Sequence, residues 1–197
     1  MPDNLCDVPG VLVGHATDPE GLTGCTAILF DRPAVVGVDV RGSSPGTRET
    51  DRLGPLGIVR DTHAVLLTGG SAFGLAAADG VVRFLEEKGV GLDVRLAGIP
   101  LVSAAVIFDL ASGSPDARPD AAMGYEAAAS AASGDFEQGS VGAGTGATVG
   151  KMLGPERMMK GGLGSAAVRL GGGLVVGTLA VVNAVGDVRD GEGGILA

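Results

Sequence analysis

The chain has 197 residues, of which 45% are hydrophobic and 3% aromatic, and it contains 36 glycines and no tryptophan. The formal net charge of −9 argues against nucleic-acid and anionic-membrane binding, because both need basic patches. Length and apolar content exclude a disordered chain and predict a single domain over residues 1–197, with a core packed through small side chains.

The N-terminal part of the chain predicts strands. Residues 1–10 have neither the basic nor the apolar segment of a signal peptide, and the two cysteines form no disulfide pattern, so we expect a soluble cytoplasmic protein. Three short runs separated by Pro, Gly and Asp predict antiparallel strands over 11–16, 24–30 and 34–42. The polar loop 42–57 is long enough to indicate a functional or interfacial role.

Two helices are predicted in the middle of the chain. Ser71 is the expected N-cap of a helix over 71–89, which follows a buried strand over 63–68. A second buried strand over 101–110 precedes an alanine-rich helix over 119–133. The remainder is strand interrupted by glycine. This order of strands, helix, strand, helix and strands favours a layered α+β arrangement.

Two polar side chains stand in apolar surroundings in the last third of the chain. Lys151 ends the charge-free, glycine-rich run that begins at Gly139, and Asn183 interrupts the apolar run 179–186. A buried polar group is costly unless it is paired. Lys151 is therefore either a solvated loop lysine or a partly buried lysine, with its neutral form favoured, that polarises a nucleophile or stabilises a developing negative charge. Asn183 is either a satisfied core amide or a donor to an oxyanion.

Other motifs fail on inspection. A phosphate-binding Walker loop requires glycine where Thr145 stands and Ser or Thr where Met152 stands. Ser71 lies in GGSAFG, which does not match the GxSxG nucleophile turn. His15 and His63 lack partners at metal-ligand spacing. The sequence therefore predicts neither a metal nor a cofactor.

Five long motifs carry a resemblance to a known family. They are DVPGVLVGHATDPEGLTGCTAILFD, VDVRGSSPGTRETD, HAVLLTGGSAFGLAAADGVVRFLEEKG, VGAGTGATVGK and LAVVNAVGD. In this order, over about residues 5 to 190, they resemble the L-aminopeptidase/D-esterase family, which includes β-peptidyl aminopeptidases and nylon-oligomer hydrolases. The resemblance implies an α+β fold, a four-layer αββα sandwich of the N-terminal-nucleophile type shared in outline with ornithine acetyltransferases.

The resemblance also implies roles for individual residues. Asn183 in TLAVVNAVG matches the asparagine that stabilises the oxyanion, and Lys151 in GTGATVGK matches a lysine near the nucleophile in the nylon-hydrolase branch. Phe108 stands in IFDL where many members have tyrosine, so it lacks the hydroxyl but can still line the pocket. We predict Asn183 and Lys151 as catalytic residues, and Phe108, Thr145 and Gly146 as substrate-binding residues.

In this family the precursor cuts itself into a longer α chain and a shorter β chain. The N-terminal Ser or Thr of the β chain is the nucleophile, and its α-amine can act as the base. The present sequence stops at Ala197, so we expect the α subunit of an amidohydrolase, whether processed, truncated or separately encoded. Expected partners are the β chain, a small amine-bearing amide or ester substrate and further αβ units. An acyltransferase and a non-catalytic scaffold subunit remain alternatives.

Overall fold

The computed structural model describes residues 3–59 and 61–196; Met1, Pro2, Arg60 and Ala197, which belong to the predicted domain 1–197, lie outside the described residues. Short 3-10 turns join many of the helices and strands. The helices of this part of the chain are α1 (Ala77–Glu87) and α2 (Ala121–Ala129). Its strands are β1 (Val11–Asp18), β2 (Thr23–Val35), β3 (Thr47–Arg48), β4 (Asp61–Thr68), β5 (Leu92–Asp93), β6 (Gly98–Ile99), β7 (Val102–Val106), β8 (Thr148–Val149), β9 (Met159–Lys160), β10 (Gly162–Arg169) and β11 (Val175–Val182).

The main sheet has five strands in the order β1-β2-β4-β7-β3. Its neighbours are antiparallel except for β4 and β7, which run parallel with Thr68 opposite Val106. A parallel pair needs a crossover, and α1 supplies it. The carboxyl ends of β4 and β7 therefore lie side by side, so the loops that follow these two strands meet at one edge of the sheet.

Alternation along the central strands gives the main sheet two apolar faces. Cys25, Ala27 and Leu29 of β2 point toward the helices and pack there with Leu66 of β4 and Val81 of α1. Because successive side chains of a strand point to opposite faces, Ile28 lies on the other face of the sheet. Burial raises the pKa of the Cys25 thiol to about 12, so this cysteine is an inert core residue.

Glycine lets the two helices approach closely. A Cβ atom on Gly80 would overlap the carbonyl oxygen of Ala121, and one on Gly124 would overlap that of Ala77. Gly80 of α1 thus lies against the backbone of α2, and Gly124 of α2 lies against the backbone of α1, so a side chain at either position would push the helices apart. The expected packing through small residues is confirmed at this contact.

We expect Gly124→Ala to destabilise the protein. In a free helix this change would stabilise by about 1 kcal/mol. Here the added methyl group meets a backbone carbonyl that is unable to move without shifting α1, and overpacking of this kind costs about 1–3 kcal/mol. Thermal unfolding measures the change in Tm. Gly164→Ala is the control, because a Cβ atom added there would meet no neighbouring atom within 4 Å; a Tm for Gly124→Ala equal to or above that of the wild type would contradict the packing.

The hairpin β10–β11 forms a second sheet on the opposite face of the main sheet. Its Leu179 packs with Val11, Val13 and Ile28 of β1 and β2. The described residues thus form helices, main sheet and second sheet, which are three layers of the expected αββα sandwich; the α+β class is confirmed.

The second sheet covers only part of the main sheet. Among the described residues, β11 pairs with β10 alone, so its other edge is open. Beside that edge lies a cleft of about 360 Å³. The cleft is lined by residues of β4, β7 and β11, namely Leu67, Ala105, Val106, Ile107, Leu179, Ala180 and Val181.

Two local predictions were wrong. The expected strand 34–42 does not form, because β4 begins at Asp61 opposite Val35 and the ladder ends there. Ser71 is not a helix N-cap: it has a φ of +53° and follows the left-handed Gly70, its segment is a 3-10 turn, and α1 begins only at Ala77. The Ser71 N–H bonds instead to the Ile107 carbonyl at 3.0 Å, so the end of β7 determines this turn.

Within the part of the chain that the structure describes, no helix has the length and apolar character to cross a bilayer.

Candidate active site

The Asn183 side chain lies one residue beyond β11 rather than inside a strand, which corrects its expected place. Its Oδ1 accepts hydrogen bonds from Lys151 Nζ at 2.7 Å and from the Thr148 N–H at 3.0 Å. Its Nδ2 donates to the Phe108 carbonyl at 3.0 Å. Two donors on one side and an acceptor on the other fix which way the amide points. The second hydrogen of Nδ2 has no acceptor among the described residues.

Lys151 is fixed beside Asn183 by hydrogen bonds of both its side chain and its backbone. Its Nζ also contacts the Asn183 carbonyl at 3.2 Å. The N–H groups of Gly150 and Lys151 donate to the carbonyls of Gly186 and Val185 at 3.0 and 2.8 Å, which joins the end of the glycine-rich run to the segment after β11. Burial lowers the pKa of Lys151 below its ordinary value of 10.5. The structure thus brings Lys151 and Asn183 into direct contact.

The lowered pKa of Lys151 predicts a pH dependence of stability. Between its folded-state pKa and 10.5, the unfolded chain binds more protons than the folded one, so the free energy of unfolding rises with pH through this window. We expect Lys151→Met to flatten that rise in denaturation curves measured at a series of pH values. A slope equal to that of the wild type would contradict a desolvated ammonium group at this position.

Phe108 follows β7 and contributes to the site in two ways. Its carbonyl orients the Asn183 amide at 3.0 Å. The residue is 59% exposed, which leaves its apolar ring open to solvent. The structure therefore brings Phe108, Lys151 and Asn183 together, while the predicted contact of the Phe108 ring with substrate stays a prediction.

Thr145 and Gly146 form a buried wall behind these residues. Thr145 is 3% exposed, and its hydroxyl donates to the Gly142 carbonyl at 2.7 Å. Gly146 is buried, and its carbonyl accepts from the Ser112 hydroxyl at 2.7 Å. A Cβ atom on Gly146 would lie 2.6 Å from the Cβ atom of Asp109, so only glycine fits. Substrate binding by Thr145 and Gly146 stays a prediction.

Sequence reasoning missed two charged residues here. Asp109 is 3% exposed and accepts hydrogen bonds from the Thr23 hydroxyl at 2.8 Å and the Gly70 N–H at 2.7 Å. Lys160 Nζ donates to the Thr145 carbonyl; burial lowers the pKa of Lys160, and the nearby Asp109 carboxylate partly opposes this. An acid directly after an apolar strand is a signal for Asp109, because carboxylates are rarely buried unless paired. Nothing in the sequence distinguishes Lys160 from a surface lysine.

Three hydroxyl groups of this region are already engaged in hydrogen bonds. Those of Thr23, Ser112 and Thr145 donate to a carboxylate or to backbone carbonyls, and none of the three hydrogen-bonds to a histidine or an amine. Activation of a hydroxyl nucleophile normally needs such a base. The site as described offers an oriented amide donor and a cation, but these three hydroxyls are not arranged as nucleophiles.

The layers and the site together define a protein with the fold of the N-terminal-nucleophile (Ntn) hydrolases. The structure matches that of an L-aminopeptidase D-Ala-esterase/amidase from Ochrobactrum anthropi, described as a variant of the Ntn hydrolase fold. The TM-score is 0.74 at 23% sequence identity, over 92% of this chain and 53% of that one. This likeness confirms the expected type of fold.

The chain belongs to peptidase family S58, whose family model matches residues 3–192. It is 46% identical to an uncharacterized aminopeptidase of Mycobacterium tuberculosis over 196 residues, which cover 95% of this chain and 55% of the relative. It is 40% identical to a 6-aminohexanoate-oligomer endohydrolase of a Kocuria species over 192 residues, or 96% of this chain and 50% of that enzyme. The chain thus spans about half the length of these curated relatives.

Proposed function

We propose that this chain is the α subunit of a self-processed aminopeptidase or amidohydrolase that cleaves amide or ester bonds of small amine-bearing substrates. The observation that carries the proposal is the Asn183 amide, whose Oδ1 is held by Lys151 and the Thr148 N–H. This arrangement leaves one N–H of Nδ2 without an acceptor among the described residues. A rigid donor with a free hydrogen is what stabilisation of a tetrahedral oxyanion requires.

The reaction would proceed through an acyl-enzyme. The N-terminal Ser or Thr of the β chain attacks the substrate carbonyl carbon, and its α-amine accepts the hydroxyl proton. The resulting oxyanion accepts a hydrogen bond from Asn183 Nδ2. Collapse of this intermediate breaks the C–N bond and releases the amine with the returned proton. Water then attacks the ester by the same route and frees the acid.

The open edge of β11 supports a β chain as partner. An unpaired strand edge presents free backbone N–H and C=O groups that pair readily with another strand. The cleft beside β11 is apolar and lies between the two sheets, as a missing strand requires. β11 ends directly before Asn183, so a β-chain strand paired antiparallel to it would place its N-terminus close to the amide. Relatives about twice as long supply the residues for such a segment.

The names of the relatives favour small amides as substrates. One relative is named an aminopeptidase and another a 6-aminohexanoate-oligomer endohydrolase, so both peptide and oligoamide bonds are represented. Phe108, whose carbonyl contacts Asn183, has an exposed ring that offers an apolar surface for the carbon chain of either substrate. We therefore extend the proposal to short peptides, D-amino-acid amides and oligoamides.

We also propose that αβ units assemble into a multimer in the cytoplasm. Leu56, Ile58 and Leu96 are almost fully exposed, and a contact with another subunit would remove these apolar side chains from water. Cys6 and Cys25 are free thiols, which suits a reducing compartment. Light scattering of the full-length protein measures the assembly, and a mass equal to one αβ unit would contradict it.

An assay of hydrolysis against acyl transfer tests the proposed activity. The full-length protein is incubated with short peptide amides and with 6-aminohexanoate oligomers, with and without an added acceptor amine, and products are identified by mass spectrometry. We expect free acid in both cases. Product formed only with the acceptor would indicate an acyltransferase, and no product with any amide or ester would indicate a scaffold subunit; either result contradicts the proposal.

A further inference from the structure

Asp109 is a buried carboxylate with two neutral hydrogen-bond donors and the Lys160 ammonium group nearby. It is 3% exposed and lies directly after Phe108. Its Oδ2 accepts from the Thr23 hydroxyl at 2.8 Å, and its Oδ1 accepts from the Gly70 N–H at 2.7 Å. Burying a carboxylate is expensive unless it is hydrogen-bonded, so these two contacts are the condition for its presence here.

The carboxylate joins three segments of the main sheet at one edge. Thr23 begins β2, Gly70 belongs to the turn after β4, and Asp109 follows β7. The contact with Gly70 continues the parallel ladder, in which the Ile107 N–H donates to the Thr68 carbonyl at 2.9 Å. The segment 107–109 is thus fixed at its first residue by the backbone of β4 and at its last residue by the carboxylate contacts.

We propose that Asp109 is a positioning residue that fixes the orientation of the Asn183 amide by holding the Phe108 carbonyl in place. This inference rests on the proposed function, in which the free N–H of Asn183 meets the oxyanion. The Phe108 carbonyl is the acceptor for the other N–H of that amide at 3.0 Å. Because the Phe108 ring is exposed, its carbonyl is positioned by the two flanking residues. Ile107 is held by backbone hydrogen bonds to Thr68 and Ser71, and Asp109 is held by its carboxylate.

Without the carboxylate, Asp109 loses its side-chain contacts with Thr23 and Gly70, so the Phe108–Asp109 peptide is held chiefly from the Ile107 side. The carbonyl then shifts, and the Asn183 amide rotates about the contacts of its Oδ1 with Lys151 and the Thr148 N–H. The free N–H no longer points at a fixed place. Since the orientation of this N–H matters only when the oxyanion forms, the substitution lowers kcat more than it raises KM.

Kinetics of the assembled, full-length enzyme test the inference. We expect Asp109→Ala to lower kcat about 10- to 10²-fold, in the range that a small misplacement at a reacting centre costs, with KM changed by less than about threefold. We expect Asp109→Asn to restore kcat to within about threefold of the wild type. Its amide oxygen can accept from the Gly70 N–H, and its NH₂ group can donate to the Thr23 hydroxyl.

A double-mutant cycle separates positioning from a general structural role. Because Asp109 acts through Asn183, Asp109→Ala in an Asn183→Ala background should lower kcat by less than about threefold. Thr23→Val, which removes one donor and keeps the carboxylate, should show the same dependence and serves where Asp109→Ala does not fold. Ser103→Ala is the control: Ser103 is buried at the other end of β7 and bonds to the Glu49 carbonyl and Arg52. It should lower Tm without lowering kcat.

The outcomes distinguish the two proposals. A wild-type enzyme without turnover overturns the proposed function. An active wild type in which Asp109→Ala and Thr23→Val lower kcat by the same factor with and without Asn183 overturns the positioning role, as does an Asp109→Asn variant as impaired as the alanine variant. Loss confined to the Asn183-containing background, with rescue by asparagine, supports it.

Discussion

Asn183→Ala in the assembled enzyme should lower kcat by about 10² to 10³-fold, since that is the usual effect of removing one oxyanion donor. KM should change little, because the free N–H is used only when negative charge develops on the substrate oxygen. Steady-state kinetics on a short peptide amide measure both constants. A loss of less than about tenfold in kcat would show that the oxyanion is stabilised elsewhere.

Two further variants show which half of the amide matters. Asn183→Asp keeps an oxygen for Lys151 and for the Thr148 N–H but has no N–H to donate, so we expect it to be as inactive as the alanine variant. Gln138→Ala removes an amide that accepts from the Ser165 N–H at 2.7 Å, away from Asn183 and Lys151. It should retain wild-type kcat. An active Asn183→Asp enzyme would assign the role to the oxygen and not to the donor.

Lys151→Met should lower kcat by about 10²-fold, the lower end of what a positioned proton-transfer or charged group contributes. Its ammonium group donates to Asn183 Oδ1 at 2.7 Å, which polarises the amide and strengthens its N–H as a donor. In the proposed reaction, the same cation would supply positive potential to the oxyanion and to the β-chain amine. The kcat of purified, correctly processed protein is the measurement.

Matched variants separate charge from shape at Lys151. Lys151→Arg keeps the cation but has a larger, planar head, so we expect only partial recovery. Lys88→Met removes an exposed lysine that lies 5.5 Å over the Phe84 ring on the outside of α1, and it should leave kcat unchanged. A Lys151→Met enzyme with wild-type turnover would reduce Lys151 to a structural contact of Asn183.

Much of the fold could be predicted from local patterns. Apolar alternation and short turn signals located β1, β4 and both helices. The abundance of small residues predicted close packing, as found between α1 and α2. The failures lie where a distant segment decides. The end of β2 depends on where β4 begins, and the conformation of Ser71 depends on the Ile107 carbonyl and on Asp109 beyond it.

The candidate site divides in the same way. Lys151 and Asn183 were identified by their surroundings and by family resemblance, but their contact joins residues 32 positions apart and follows from the fold alone. Asp109 was missed because its hydroxyl partner, Thr23, is 86 positions away and lies on another strand. Glycine is required at position 146 for a reason that no local pattern contains: the Leu22 carbonyl oxygen and the Asp109 side chain occupy the space that a Cβ atom would need.

The central claim is that Asn183 and Lys151 serve a nucleophile at the N-terminus of a second chain. Intact-mass spectrometry of the purified full-length protein, before and after incubation with a slow ester substrate, tests it most directly. We expect two chains, of which the smaller begins with Ser or Thr and gains the acyl mass on incubation. A single uncut chain with full activity, or an acyl group on the chain that carries Asn183, would contradict it.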